Sequence, residues 1–148
     1  MEIKLPPDFK EFLKLLHSHK VRYLLIGGYA VVYYGYVRAT NDIDIWVDRT
    51  PENAERVIAV LKEFGVGATE SLADLLLKEN QVIRLGVPPL RVEILTTISG
   101  VDFEHAYSNR VIDIMDGVEV KIINLDHLKI NKRASGRLKD LADLEYLP

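Results

Sequence analysis

The sequence predicts an α/β domain, a mixed and mostly antiparallel sheet of about five or six strands flanked by helices. Short β-branched and aromatic runs, at residues 21–26 and 43–47, alternate with segments whose apolar residues recur at helical spacing. Four further strand-like runs fall into two close pairs, 81–85 with 90–96 and 111–115 with 118–123, each pair near enough along the chain to lie antiparallel. No linker, repeat or low-complexity tract divides the 148 residues. Residues 1–148 therefore read as one domain, with an N-terminal helix and a C-terminal helical segment over about 124–148.

Taken in order, Phe9, Phe12, Leu13 and Leu16 give the first helix its apolar stripe, with Asp8 as a cap and Glu11 three residues on. Residues 21–26 form a strand that ends at Gly27-Gly28, a tight turn into a buried helix over 29–34 that stops at Gly35. After the strand at 43–47, Thr50-Pro51 open a helix with Ala54, Val57, Ile58, Leu61 and Phe64 on its apolar face and Gly65 at its end. A short helix follows over 71–78. Gly86-Val87-Pro88-Pro89 joins the next two strands, and Asp116-Gly117 is a strong two-residue hairpin turn between the last two. Residues 125–147 alternate leucine with charge, one or two helices broken near Ser135-Gly136.

Charge and composition exclude several classes. Nineteen basic and 22 acidic residues leave a net charge of -3, which gives no support for broad nucleic-acid binding. With no cysteine there are no disulfides and no thiolate metal sites. The longest uncharged stretch, residues 23–37, is fifteen residues, shorter than the roughly 20 of a spanning helix, and Gly27-Gly28 interrupt it. The N-terminus carries no apolar signal core, so the expected location is cytoplasmic, with no membrane partner.

One constellation carries chemistry. Gly27-Gly28 ends a strand and opens a helix, where free backbone N–H groups at a positive helix end suit phosphates. Thirteen residues separate Gly28 from Asp42-Ile43-Asp44-Ile45. Side chains alternate across a strand, so Asp42 and Asp44 share one face while Ile43 and Ile45 anchor the other. Two carboxylates facing a phosphate chain repel it unless hard divalent cations lie between them, and oxygen-rich acidic sites bind Mg²⁺. An Asp-x-Asp alone is commonly a solvated strand end. The order strand, Gly-Gly, helix, Asp-x-Asp strand is what points to a metal-dependent nucleotide site.

These residues resemble the nucleotidyltransferase superfamily with a DNA-polymerase-β-like fold. Gly27-Gly28-Tyr29-Ala30, Gly35, Arg38, Thr40 and Asp42-Ile43-Asp44, together with Lys132, Ala134, Gly136-Arg137, Lys139-Asp140 and Asp143, are most similar to the small stand-alone members related to AbiEii antitoxin-type nucleotidyltransferases. Glycine stands at position 28 where many superfamily members have serine. The resemblance implies a third carboxylate on a later strand. Val92-Glu93-Ile94 and Ile112-Asp113-Ile114 share the local pattern. Glu93 is preferred for its distance from the first two, and Asp113 in the hairpin is the rival.

The implied function is transfer of a nucleoside monophosphate from an NTP, ATP foremost, to an acceptor RNA, protein or small molecule, with pyrophosphate released. Asp42, Asp44 and Glu93 would be the catalytic and metal-binding residues, Asp42 and Asp44 bridging two Mg²⁺ (or Mn²⁺) ions roughly 3.5–4 Å apart. Gly27, Gly28, Arg38, Thr40, Lys132, Arg137 and Lys139 would bind the nucleotide, with Asp140 orienting one of the cations. A helical partner subunit or a homodimer is implied as well. The rival from another class is a non-catalytic antitoxin-like binding module of the same fold, as in toxin–antitoxin pairs.

Other candidates read as structural. Asp48 lies past Trp46 at the strand's end. His17, His19, His105 and His127 form no metal set, the first two pointing apart on their helix. Among Tyr29, Tyr33, Tyr34, Tyr36 and Trp46, only Tyr36 is close enough to the motif to be a candidate for base stacking.

Overall fold

The computed structural model describes residues 3–67, 70–86 and 90–148. Its elements run α1 (Pro7–Ser18), β1 (Tyr23–Ile26), α2 (Gly27–Tyr33), β2 (Asp42–Val47), α3 (Pro51–Glu63), α4 (Glu70–Leu75), β3 (Val82–Leu85), β4 (Arg91–Leu95), α5 (Phe103–Ser108), β5 (Val111–Met115), β6 (Val118–Ile122), α6 (Leu125–Ser135) and α7 (Leu138–Tyr146). The strands form one six-stranded sheet in the order β3-β4-β2-β1-β6-β5. Three pairings are antiparallel, β1–β2, β3–β4 and β5–β6, and two are parallel, β1–β6 and β2–β4. The predicted mixed, mostly antiparallel α/β sheet is what the chain forms.

The two central strands explain why the sheet is stable. β1 is buried along its whole length, and β2 turns Ile43, Ile45, Trp46 and Val47 into the core. α1 covers β6 with Phe9, Phe12, Leu13 and Leu16, and Phe12 meets Phe64 edge to face at 5.2 Å. Burying aromatic and aliphatic side chains of this size contributes roughly 1.5–3 kcal/mol each. Asp116 and Gly117 take φ of 50° and 79°, the left-handed pair that a two-residue hairpin turn demands.

Some local expectations change. α1 begins at Pro7, with Pro6 in the cap position and no side-chain cap, so Asp8 serves in the first turn and not as the cap. Gly27 and Gly28 are the first two residues of α2, not a turn ahead of it. The predicted 71–78 helix is α4, six residues long from Glu70. α5, capped by Asp102 accepting from the His105 N–H, has no counterpart in the expected elements. Val60 joins the buried face of α3, whereas Ile58 and Phe64 are only partly covered. Of the connection expected at Gly86-Val87-Pro88-Pro89, Val87, Pro88 and Pro89 lie outside the described residues. Among the described residues no helix is long and apolar enough to cross a membrane.

Candidate active site

The parallel pairing of β2 and β4 decides which carboxylates meet. Asp42 lies opposite Arg91 and Asp44 opposite Glu93, and alternation puts all four side chains on one face of the sheet. The Glu93 and Asp44 carboxyls lie against each other, near enough to hydrogen-bond when one of them carries a proton, with Asp42 close by. They line a cleft of about 1020 Å³ together with Gly27, Gly28, Arg38, Thr40, Lys132 and Arg137. Asp113 stands elsewhere, on edge strand β5, where the Tyr33 hydroxyl donates to its Oδ2 at 2.5 Å beside a separate cavity of about 360 Å³. That hydroxyl and the Ile114 N–H hold the Asp113 carboxyl below its ordinary range.

Asp44 carries the strongest electrostatic tension in the cleft. Burial, the bond to Glu93 and the charges of Glu93 and Asp42 push its carboxyl up to about 7, while the Lys132 ammonium pulls the other way. Asp44 is thus crowded by two other carboxylates on the same face.

The glycines owe their identity to close packing at this point. Gly27 has φ +67°, and a Cβ there would fall 2.1 Å from Asp44 Oδ2. A Cβ on Gly28 would fall 2.5 Å from Thr40 Oγ1 and 3.3 Å from Arg38 Nη2. Position 28 thus excludes the serine of many superfamily members, because Thr40 occupies its space. Gly27→Ala is expected to cost about 2–4 kcal/mol, adding left-handed strain to a clash with a partly buried carboxylate. A urea midpoint equal to the wild type would contradict that account.

The expected phosphate-binding cations are held by carboxylates of their own. Lys132, 4% exposed, places Nζ 2.8 Å from Asp140 Oδ1 and 3.1 Å from Asp143 Oδ2. Arg38 donates from Nη2 to Asp143 Oδ2 at 3.0 Å, with Nε 2.9 Å from Oδ1, and Arg137 Nε donates to Asp140 Oδ2 at 2.8 Å. The Ser135 hydroxyl donates to the same Asp140 oxygen. Burial alone would raise the Asp140 carboxyl, but Lys132, Ser135 and Arg137 bring it down to about 2. Three cations against two carboxylates leave this wall one positive charge in excess. Thr40 donates to the Asp42 carbonyl at 3.2 Å, a local use of its hydroxyl, and Lys139 is exposed at the cleft's edge.

Asp143 is the residue that reading the sequence for chemistry left without a role. Its signal was the spacing of Lys132, Asp140 and Asp143 around Gly136, whose φ of 66° reverses the chain between α6 and α7. Tyr36, the one aromatic singled out, stacks on Tyr146 of α7 with centroids 4.3 Å apart. Asp48 is structural, its Oδ2 2.8 Å from Arg22 Nε. His17 and His19 meet different partners, Glu119 and Glu63.

A six-stranded mixed sheet with carboxylates on the parallel pair β2 and β4 and a glycine-led helix beside them is the architecture of a nucleotidyltransferase domain. The chain belongs to the family described as nucleotidyltransferase of unknown function (DUF6036), whose model matches residues 7–146. It is similar in fold to a "putative nucleotidyltransferase" from Thermotoga maritima, known from a crystal structure at 1.87 Å, with a TM-score of 0.64 and 18% identity over 97% of this chain and 94% of that one. No curated protein matches the sequence.

Proposed function

We propose that the protein is a metal-dependent nucleotidyltransferase that moves a nucleoside monophosphate from an NTP, ATP foremost, to an acceptor hydroxyl and releases pyrophosphate. The observation that carries this is the register Asp44 opposite Glu93, with Asp42 on the same face, in a cleft entered by a glycine-led helix. The donor set is all carboxylate oxygen, which suits a hard divalent cation such as Mg²⁺, and the elevated Asp44 acid reflects how closely the carboxylates crowd there. Asp42, Asp44 and Glu93 would hold the cation. When bound, it supplies Lewis-acid stabilisation of charge on the transferring phosphoryl group.

The chain's own residues do the rest. The α2 start would offer backbone N–H donors to phosphate, with Thr40 and Arg38 packed against Gly28 and the Asp44 carboxylate against Gly27. Lys132 and Arg38, fixed by Asp143, set a positive wall without the entropy cost of ordering loose side chains. Arg137 and Lys139 extend that wall toward solvent. Glu93, on the β3 side of Asp44, would help take the acceptor's proton.

The decisive measurement is transfer of label from an α-labelled NTP to RNA, protein or small-molecule acceptors, with and without Mg²⁺. Label transfer that disappears with EDTA is the expected result. The non-catalytic alternative, a binding module of the same fold, draws on the fact that Arg38, Lys132 and Arg137 all have carboxylate partners already. Absence of both transfer and Mg²⁺-nucleotide binding would decide for that module and against the enzyme.

A further inference from the structure

Two arginines beside the acidic trio have no part in the reaction derived above. Arg91 puts Nη2 3.5 Å from Asp42 Oδ2 and 3.9 Å from Glu93 Oε1. Arg84, opposite Glu93 in the β3–β4 register, donates from Nε to the same Oε1 at 3.2 Å. Asp42 and Glu93 therefore already have guanidinium partners, and Arg91 Nη2 stands between the two. Among the described residues no three acidic or histidine side chains converge closely enough to hold a metal ion.

We propose that Arg84 and Arg91 are resident counter-ions that compete with the divalent cation for Asp42 and Glu93, so that the cation binds only as the guanidiniums swing away. This rests on the metal-dependent reading of the same site. A guanidinium and a divalent cation cannot share the lone pairs of one carboxylate oxygen without repelling each other. Both arginines have room to move, with side chains 57% and 32% exposed for Arg84 and Arg91. Arg91 Nε is buried without a partner, so leaving costs that nitrogen no hydrogen bond. The device keeps the acidic face neutralised until cation arrives.

Binding of Mn²⁺ alone to the nucleotide-free protein, followed by electron paramagnetic resonance, tests this directly. Arg91→Gln is expected to tighten Mn²⁺ binding by about three- to tenfold and the more exposed Arg84→Gln by about two- to threefold, in keeping with the modest strength of half-exposed ion pairs. Arg91→Lys keeps the charge and stays near the wild-type affinity. Unchanged or weaker Mn²⁺ binding in the glutamine variants overturns the proposal. Arg84 is a surface residue on an edge strand, so its variant decides the matter if Arg91→Gln fails to fold. Asp44→Asn marks the site: wild-type Mn²⁺ binding that this substitution leaves intact would overturn the functional reading itself, a result separate from failure of the arginine variants alone.

Discussion

Asp44→Asn is expected to stabilise the folded protein above neutral pH and, at the same time, to lower nucleotidyl transfer by roughly 10³-fold or more, the loss of several kcal/mol of charge stabilisation at the reacting phosphoryl group. The stability gain follows from the direction of the shift. The Asp44 acid is raised from an ordinary 3.8 to about 7, so the folded state resists its ionisation while the unfolded chain does not. That penalty is absent below about pH 4, grows as pH rises through the interval, and is complete above about pH 7. Asparagine removes the charge and keeps a donor for Glu93. For a carboxyl partly reached by solvent the gain at pH 8 is roughly 1–3 kcal/mol, or about 2–8 °C in melting temperature. Melting curves of both proteins at pH 4 and pH 8 check it: the two should nearly coincide at the lower pH and separate at the higher. A variant less stable than the wild type at pH 8 would contradict the electrostatic account of this site.

Lys132→Met should be the most damaging single change to the fold outside the apolar core. The methionine keeps the stem's volume but leaves Asp140 and Asp143, 3% and 2% exposed, short of a shared cation. Breaking a buried pair by removing one partner costs about 3–5 kcal/mol, because the surviving charge is stranded away from water. The urea midpoint should fall accordingly, and melting should drop by roughly 10 °C. Asp140 gives the pH signature. Its carboxyl is lowered to about 2 from 3.8, so its stabilising contribution is present above about pH 4 and lost as pH falls toward 2. Lys132→Met should flatten that acid limb. Lys132→Arg, which keeps the charge, should recover part of the loss. A decrease below about 1 kcal/mol for Lys132→Met would mean that Arg38 and Arg137 satisfy both carboxylates unaided.

The two predictions show where the sequence was transparent and where it was opaque. Alternation along 42–45 placed Asp42 and Asp44 on one face because a strand's period is a local property, and the β5–β6 hairpin was legible because Asp116-Gly117 can do little else. Strand order was not legible. Nothing local says that β6, last in the chain, lies parallel to β1, or that β4 slots beside β2 in the register that sets Glu93 against Asp44. α5 is short, and charged and polar residues interrupt its cue, Phe103, Ala106 and Tyr107 after Asp102. Lys132 and Arg38 were legible as cations but not as buried ones. Burial of a lysine depends on carboxylates that reach it only once α7 folds back past Gly136, and those lie 8 and 11 positions away in sequence.

The ion pair between Arg38 and Asp143 joins residues 105 apart in sequence. Contacts of such separation carry a loop-closure cost that neighbouring residues do not. The hairpins and helices can form from neighbours, but the positive wall of the cleft exists only after the final helix has docked on the loop that precedes β2. A chain caught short of that step would display Asp42, Asp44 and Glu93 without the cations that face them. On the proposed function, the nucleotide cleft would be complete only once the whole domain has folded.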